Sequence, residues 1–206
     1  MTLTEKLHAL HRSLGSVPHA FGGAIALAYY TEEPRATRDL DVNVFVDASE
    51  ARRVLELLPP GVHWNKRDVA AIERGGQVRL WWDDVPVDLF FSNVPFHEVT
   101  RHHVRTVEFD GEAIPILGGE ELAVYKAAFS RPKDWVDIKQ MLDAQTIDPV
   151  RVSATLTRLL GPAHASTTRF LELAAAEPET ASEMDPGALT FRDVIGEAHR
   201  DRRPQR

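Results

Sequence analysis

Apolar and polar residues alternate with two different periods along this chain, and the change of period divides it. In several segments before residue 117 apolar residues recur at every second position, which is typical of strands. After residue 118 they recur at three- and four-residue spacing, which is typical of amphipathic helices. The pattern predicts an α+β fold in which a mixed sheet with helices is followed by a helical C-terminal half. The boundary near Leu117 predicts domains at 1–117 and 118–206.

The N-terminal part predicts two helices and a strand. Leucines at positions 3, 7, 10 and 14 predict an amphipathic helix that ends at Gly15. Gly22 and Gly23 then precede a very apolar segment that predicts a buried helix. From Leu40 onward, Leu40 and three valines occupy every second position, which predicts a strand with one face entirely in the hydrophobic core. A helix capped by Asp47 or Ser49 is expected to follow it.

Two hairpins and four helices complete the prediction. The segment "QVRLWWDDVPVDLFFS" predicts strands joined at Asp83 and Asp84, with Trp81 and Trp82 on opposite faces. The segment "VRTVEFDGEAIPIL" predicts a hairpin that turns at Asp110 and Gly111, and His102 and His103 are expected near its start. Four helices are expected at "EELAVYKAAFS", "RPKDWVDIKQMLDAQ", "DPVRVSATLTRLLG" and "ASTTRFLELAAA". The last thirty residues, with Pro178, Pro186 and Gly187, are expected to be loosely held.

Composition narrows the possible function classes. The chain is 43% hydrophobic and 27% charged, which is typical of a globular protein. It contains no cysteine, so disulfides, zinc thiolates and thiol nucleophiles are excluded. No apolar run resembles a signal or membrane helix, and we expect a cytoplasmic protein. A net charge of −7 argues against binding nucleic acid through overall charge, and the basic tail "HRDRRPQR" is expected to be a solvated terminus.

Three aspartates are the main candidates for chemistry. Asp39 and Asp41 share one face of the predicted strand, and Asp88 interrupts an apolar run on another strand. Such carboxylates repel one another unless a cation lies between them. Hard oxygen ligands favour magnesium, with manganese as an alternative. The competing interpretation is that each aspartate is a cap, a turn residue or an ion-pair partner.

The glycine pair adds a second indication. Glycines at a helix N-terminus let backbone N–H groups face a phosphate, although packing or a tight turn also explains such pairs. Carboxylates for magnesium beside a phosphate cradle favour chemistry on a nucleoside triphosphate.

Four blocks, "FGGAIAL", "EPRATRDLDVNVF", "VDLFF" and "KAAFSRPKDWVDI", occur in this order within residues 18–143. They resemble the nucleotidyltransferase superfamily with the polymerase-β-like fold, most closely the AbiEii and MenT toxins of toxin–antitoxin systems. The resemblance implies a nucleotidyltransferase catalytic core at 1–117 and a helical domain at 118–206. It also implies magnesium-dependent transfer from a nucleoside triphosphate, such as ATP or CTP, to the 3′ end of transfer RNA. A cognate antitoxin protein is implied as partner.

The resemblance places roles on individual residues. Gly22 and Gly23 match the nucleotide-phosphate loop, although Ala24 stands where many relatives carry serine. Asp39 and Asp41 match two metal ligands, and Asp88 matches a third carboxylate that acts as general base or shared metal ligand.

Further matching positions point to nucleotide binding. They are Arg35, Thr37, Arg38, and Lys126, the last matching a lysine directed at the triphosphate. A surface Arg38 and a solvated Lys126 are the competing interpretations. Asp134 and Asp137 compete for a functional aspartate, and Asp137 is preferred as the better buried. Arg131 and Lys133 either pair with these aspartates or hold phosphate.

Other functions stay open at this point. The acceptor is alternatively an aminoglycoside-like small molecule, for which Asp83, Asp84, Glu120 and Glu121 supply acids, or a protein hydroxyl. If the protein is not an enzyme, the alternative is a non-catalytic module that binds a nucleotide. Candidates for a basic groove are Arg35, Arg38, Arg79, Lys133 and the tail, whereas His19 is expected to be structural.

Overall fold

A seven-stranded mixed sheet carries the site residues, and helices pack against it in this computed structural model, which describes residues 1–176. The strands are β1 His19–Phe21, β2 Leu40–Asp47, β3 Val62–His63, β4 Gln77–Trp82, β5 Val85–Ser92, β6 Arg105–Phe109 and β7 Glu112–Ile116. The helices are α1 Leu3–Leu14, α2 Gly23–Leu27, α3 Ala51–Glu56, α4 Lys66–Gly75, α5 Phe96–His102, α6 Gly119–Phe129, α7 Pro132–Asp143, α8 Pro149–Leu160 and α9 Ala165–Ala175. The predicted α+β class is confirmed.

Strand β2 lies at the centre of the sheet, whose order is β3-β4-β5-β2-β1-β7-β6. Strand β2 runs parallel to β5 and antiparallel to β1. Its register places Asp41 beside Asp88, and the next antiparallel pair places Arg79 beside Asp88 on the other side. Three neighbouring strands therefore bring two acids and one base into a row across one face of the sheet.

Both faces of β2 are covered. Leu40, Val42 and Val44 are fully buried on one face, as the alternation predicts. On the face that carries the aspartates, Asn43 and Phe45 are also buried, each with 5% exposure. The aspartate face is therefore open only at its beginning and is roofed by other elements further along the strand.

Most predicted elements are confirmed. The first helix ends at Gly15, and a capping box between Thr2 and Glu5 closes its start. Asp47 caps the short 3₁₀ turn before α3. Both hairpins are present, and Trp81 is exposed while Trp82 is buried on the opposite face. The four helices of the second half are α6 to α9.

The region between β5 and β6 contains a helix, α5, that the sequence pattern did not predict. His102 is its last residue and His103 follows it, and both are exposed shortly before β6, near the strand start where they are expected. Phe96 and Thr100 are buried one turn apart, and this contact with the core fixes a helix of only seven residues. So short a helix has too few periodic positions for the sequence pattern to reveal it.

The change from strands to helices falls where the pattern predicts it, because β7 ends at Ile116 and α6 begins at Gly119. The division into two domains at residue 117 stays a prediction. The segment with Pro178, Pro186 and Gly187 and the basic tail lie outside the described residues. Within residues 1–176 no helix has both the length and the apolar composition required to span a bilayer.

Two adjacent glycines at the end of α4 provide a test of this fold. Gly76 has φ +69°, and an added Cβ would lie 2.2 Å from Asn93 Nδ2, whereas a Cβ on Gly75 would meet nothing within 4 Å. We expect Gly76→Ala to lower the free energy of unfolding by about 1–3 kcal/mol. Gly75→Ala, the control, is expected to be neutral or stabilising by up to about 1 kcal/mol. Urea denaturation measures both, and equal effects would contradict the described turn.

Candidate active site

A cavity of about 710 Å³ lies over the beginning of β2, a volume typical of small-molecule sites. Eight of the residues predicted from the sequence as site residues line it: Gly23, Arg35, Asp39, Asp41, Asp88, Lys126, Arg131 and Lys133. They lie on or directly beside strands β2 and β5 and helices α2, α6 and α7, except Arg35, which lies in the segment before β2. The fold therefore gathers most of the predicted site into one space.

Asp39 and Asp41 form the acidic centre of this cavity. Their side chains share one face of β2. Asp39 Oδ1 accepts a hydrogen bond from the Thr37 hydroxyl, and Asp39 lies at the strand start. Within residues 1–176 neither carboxylate makes an ion pair. The pair therefore carries negative charge that no side chain of the described residues neutralises by direct contact.

Their surroundings shift the two pKa values in opposite directions. Desolvation, followed by repulsion from Asp39 and Asp88, raises the pKa of Asp41 to about 6. Desolvation also acts on Asp39, but the hydrogen bonds from Thr37 and the backbone, with Lys133 and Arg79 nearby, hold its pKa below the ordinary value. A nearby cation would therefore stabilise the ionised form of Asp41 more than that of Asp39.

The glycine pair packs directly onto Asp41. The Gly22 N–H donates to the Asp41 carbonyl oxygen over 2.8 Å. Gly23 has φ +51°, and an added Cβ would lie 1.8 Å from Asp41 Oδ2. Only glycine fits at this position without displacing the carboxylate. The phosphate-binding role of the pair stays a prediction, and Ala24 supplies no hydroxyl group there.

Asp88 already has a cationic partner. Arg79 Nε and NH2 donate to its two carboxylate oxygens over 2.8 and 2.6 Å, a bidentate pair across β4 and β5. This pairing raises the pKa of Arg79 above its ordinary value. The Asp88 side chain is 13% exposed and that of Arg79 is 55% exposed, so the pair lies at the rim of the cavity. Arg79 was predicted only as a groove residue.

Asp137 holds two of the cavity's cations. Lys126 Nζ donates to Asp137 Oδ2 over 2.6 Å, and Arg35 donates to both oxygens over 3.2 and 3.3 Å. Although desolvation opposes it, these hydrogen bonds lower the pKa of Asp137 below its ordinary value. Lys126 is only 4% exposed, so this lysine is buried rather than solvated. Asp137 orients cations that face the acidic centre.

Asp134 has a different role from Asp137. It accepts hydrogen bonds from the backbone N–H, Nε and NH2 of Arg131 and so closes the first turn of α7. The predicted difference in burial is wrong, because Asp134 is 0% and Asp137 2% exposed. What separates the two residues is their partners: Asp134 fixes one arginine at the helix start, whereas Asp137 links α7 to α6 and to the segment before β2.

Five of the predicted site residues do not line the cavity: Gly22, Thr37, Arg38, Asp134 and Asp137. Arg38 is exposed, is not among the lining residues and makes no ion pair with residues 1–176. Thr37 acts through its hydrogen bond to Asp39. His19 is buried and hydrogen-bonded to His11 and to the Val17 carbonyl group, which agrees with its expected structural role.

Sequence reasoning missed several lining residues, namely Asn43, Phe90, His97, Tyr125 and Phe129. For Asn43 a signal existed, because it shares the strand face of Asp39 and Asp41. His97 lies in α5, the helix that the pattern did not predict. Tyr125 and Phe129 flank Lys126 on α6 and resemble ordinary core positions in the sequence.

The donor atoms at the acidic centre fit a hard divalent cation. Asp39 and Asp41 offer carboxylate oxygens on one strand face, and desolvation together with repulsion from the neighbouring carboxylates raises the pKa of Asp41. Among residues 1–176 no three histidine or acidic side chains group as metal ligands, and both oxygens of Asp88 are bound to Arg79. Asp39 and Asp41 are therefore the residues that fit magnesium or manganese, and Asp88 as a third ligand stays a prediction.

Comparison with known proteins gives distant structural likenesses. A proposed nucleotidyltransferase from H. pylori has 17% identity and a TM-score of 0.40, covering 82% of this chain and 89% of that one. JHP933 from Helicobacter pylori has 17% identity and a TM-score of 0.38, covering 82% of this chain and 86% of that one. An antigenic nucleotidyltransferase-like protein from Paracoccidioides brasiliensis has 14% identity and a TM-score of 0.43, covering 81% of this chain and 89% of that one. No protein-family model and no curated protein matches the chain.

The pKa of Asp41 leads to a prediction for stability. Because burial and repulsion raise this pKa to about 6, the group favours folding below its unfolded pKa, and that contribution is lost as the pH rises through 6. Asp41→Asn removes the charge, so we expect the variant to be more stable than the wild type by about 1–3 kcal/mol at pH 7.5. The difference should nearly vanish at pH 4.

Urea denaturation in the presence of a chelator, at several pH values, measures this effect. Asp110→Asn at the exposed β6–β7 turn is the matched control and should show no such pH dependence. An Asp41→Asn variant that is less stable than the wild type at pH 7.5 would contradict the repulsion described here.

Proposed function

We propose that this protein is a magnesium-dependent nucleotidyltransferase that moves a nucleotide from a nucleoside triphosphate to an acceptor hydroxyl group. One observation carries the proposal: two carboxylates without an ion-pair partner among residues 1–176 share a cavity with five cationic side chains. Carboxylates of this kind suit a divalent cation, and the cations suit a polyphosphate. A metal–triphosphate complex satisfies both sets of charges at once.

The residues divide the binding of such a complex between them. Asp39 and Asp41 would hold magnesium, or alternatively manganese, and the bound metal would neutralise charge on the phosphates during transfer. Lys126, Arg131 and Lys133 come from α6 and α7 and line the same cavity, so they bind the phosphate chain. Asp137 keeps Lys126 in place by a buried ion pair.

The transfer step then follows from the arrangement of these groups. The acceptor oxygen attacks the α-phosphorus and forms a new phosphorus–oxygen bond, while the bond between the α-phosphorus and the bridging oxygen breaks. Pyrophosphate leaves toward Lys126, whose charge stabilises it. The hydroxyl proton passes to Asp88, which lies beside Asp41 in the sheet register. For this step Arg79 has to release one oxygen of Asp88.

We propose the 3′ end of transfer RNA as the acceptor. The observation that favours it is one exposed aromatic side chain of the cavity lining, Phe129, which is 49% exposed. The guanidinium group of Arg131 lies 5.2 Å from the centre of the Phe129 ring. Exposed aromatic rings beside a guanidinium group bind unpaired bases by stacking. An RNA end that touches few groups also suits a chain with a net charge of −7.

A transfer assay tests the reaction. The protein is incubated with magnesium and each labelled triphosphate, together with total transfer RNA, with an aminoglycoside panel, or alone. We expect label on transfer RNA with at least one triphosphate, and no label when a chelator removes the metal. Asp41→Asn should lower the rate by about 10²-fold or more because it removes metal binding. Asp88→Asn should lower it by about 10² to 10⁴-fold.

Two controls make the assay specific. Asp110→Asn at an exposed turn should keep full activity. Transfer RNA whose 3′ diol has been oxidised with periodate should accept no label. Label on an aminoglycoside or on the protein itself would replace the proposed acceptor, and label on none of the three would refute the transferase proposal.

We further propose that the activity makes the protein the toxin of a toxin–antitoxin pair. Support comes from the sequence blocks described above and from the chemistry, because a blocked 3′ end cannot be aminoacylated. Induced expression in a bacterial host should stop growth, whereas Asp41→Asn expressed to the same level should not. Co-expression of a cognate antitoxin should restore growth. Normal growth with an enzyme that is active in vitro would reject the toxin role alone.

A further inference from the structure

Beyond the acidic centre the cavity continues into a region without charged side chains. We call this region the neutral end and define it by Asn43, Phe90, His97, Leu117, Leu122 and Tyr125, all of which line the cavity. Asn43 lies two residues after Asp41 on the same face of β2, about 7 Å further along the strand. Phe90 is its neighbour in the register of β5. Along β2 the lining therefore changes from the charged Asp39 and Asp41 to the neutral Asn43 and its register neighbour Phe90.

Asn43 is a buried amide that faces this space. The residue is 5% exposed and makes no side-chain hydrogen bond with residues 1–176. Among those residues, the one side-chain polar atom that is both fully enclosed and without a hydrogen-bond partner is Thr167 Oγ1. The amide atoms of Asn43 have no partner either, so they are not fully enclosed and retain some accessible surface. Because the residue lines the cavity, those atoms are accessible from it. A buried amide without a partner is costly unless a ligand or water satisfies it.

His97 supplies a second polar group at the neutral end. It is 6% exposed, and its Nδ1 lies 3.4 Å from the backbone nitrogens of Asn93 and Val94. Its Nε2 makes no hydrogen bond with residues 1–176. Burial lowers the pKa of His97, which favours the neutral form of the ring. The ring lies 5.7 Å from that of Tyr125, which fixes one wall of the region.

The charged groups determine which part of a nucleotide can occupy the neutral end. Lys126, Arg131 and Lys133 lie on α6 and α7, so the phosphate chain extends from the acidic centre toward them. Asp88 and Arg79 lie at the exposed rim, where a large acceptor has access. The group attached to the α-phosphate therefore extends in the remaining direction, along β2. Aromatic and aliphatic walls with two neutral hydrogen-bonding groups suit a nucleobase.

We propose that the neutral end binds the base of the donor triphosphate and that Asn43 and His97 discriminate among the four bases. The inference rests on the proposed function for the position of the phosphates. An asparagine amide both donates and accepts, so it reads a base edge that offers the complementary pair of groups. The imidazole Nε2 adds a third point of recognition.

Binding measurements separate base recognition from phosphate binding. Titration calorimetry with magnesium measures the affinity for α,β-methylene analogues of ATP, CTP, GTP and UTP, and for inorganic tripolyphosphate. We expect the wild type to prefer at least one analogue. Asn43→Ala and His97→Gln should each lower that affinity by about tenfold and narrow the differences among the four analogues. Their affinity for tripolyphosphate should stay unchanged.

His102→Ala is the matched control, because His102 lies on the same helix as His97 but is exposed and paired with Glu98. Thermal unfolding of each variant shows that it is folded, and His97→Gln carries the test if Asn43→Ala does not fold. Two results would overturn the inference: an unchanged preference among the bases, or an equal loss of affinity for all four analogues and tripolyphosphate.

The outcomes also separate this inference from the proposed function. A wild type that binds none of the analogues would refute both. A second outcome is that the wild type prefers one base, the variants lose this preference, and the protein transfers no label to any acceptor. This outcome would support the neutral end as a base site and reject the transferase activity.

Discussion

Repulsion between carboxylates at the centre of the sheet is the constraint on which the rest of this site depends. Asp39 and Asp41 lie on one strand face, and the register of a parallel neighbour adds Asp88 beside them. Desolvation and this repulsion keep the pKa of Asp41 near 6. A fold that keeps such a cluster loses stability relative to neutral side chains, which is typical of functional sites rather than of structural ones.

The cations around the cluster are positioned by three acids, one of which, Asp88, belongs to the cluster itself. Asp88 holds Arg79, Asp137 holds Lys126 and Arg35, and Asp134 holds Arg131. Each of these acids offsets part of the charge of its partner and restricts its rotamers, so the cations are preorganised before any ligand enters. Lys133 is the lining cation without an ion pair among residues 1–176. The site therefore combines four cations that are paired with acids and one exposed cation without such a partner among residues 1–176.

The sequence predicted the elements that have strong periodicity or turn chemistry, and with them the residues of the acidic centre. The two hairpins and the helices of the second half followed from patterns that local physics fixes. Helix α5 did not, because a helix of seven residues is too short to show a periodic signal. The pairing of Arg79 with Asp88 depends on strand register, and the separate partners of Asp134 and Asp137 depend on how α7 packs. Neither is encoded in local sequence.

Asn43 is another residue for which the sequence predicted the local structure but not the tertiary environment. Its position on the aspartate face was evident from the alternation, but its burial follows only from the elements that roof that face. A polar residue on an open face needs no explanation, whereas one that is enclosed beside a cavity does. The role proposed for this residue could therefore be derived only from the three-dimensional structure.

The contact between Gly23 and Asp41 couples two positions that are eighteen residues apart in sequence. Any side chain at 23 would overlap the carboxylate at 41, so the two positions cannot drift independently during evolution. Shortening residue 41 would relieve the overlap but not the positive φ of residue 23, so a lineage that lost the acidic centre would still retain the glycine for conformational reasons. A glycine here in a distant homologue is therefore weak evidence of activity, whereas a larger residue at this position would indicate that the acidic centre has been lost.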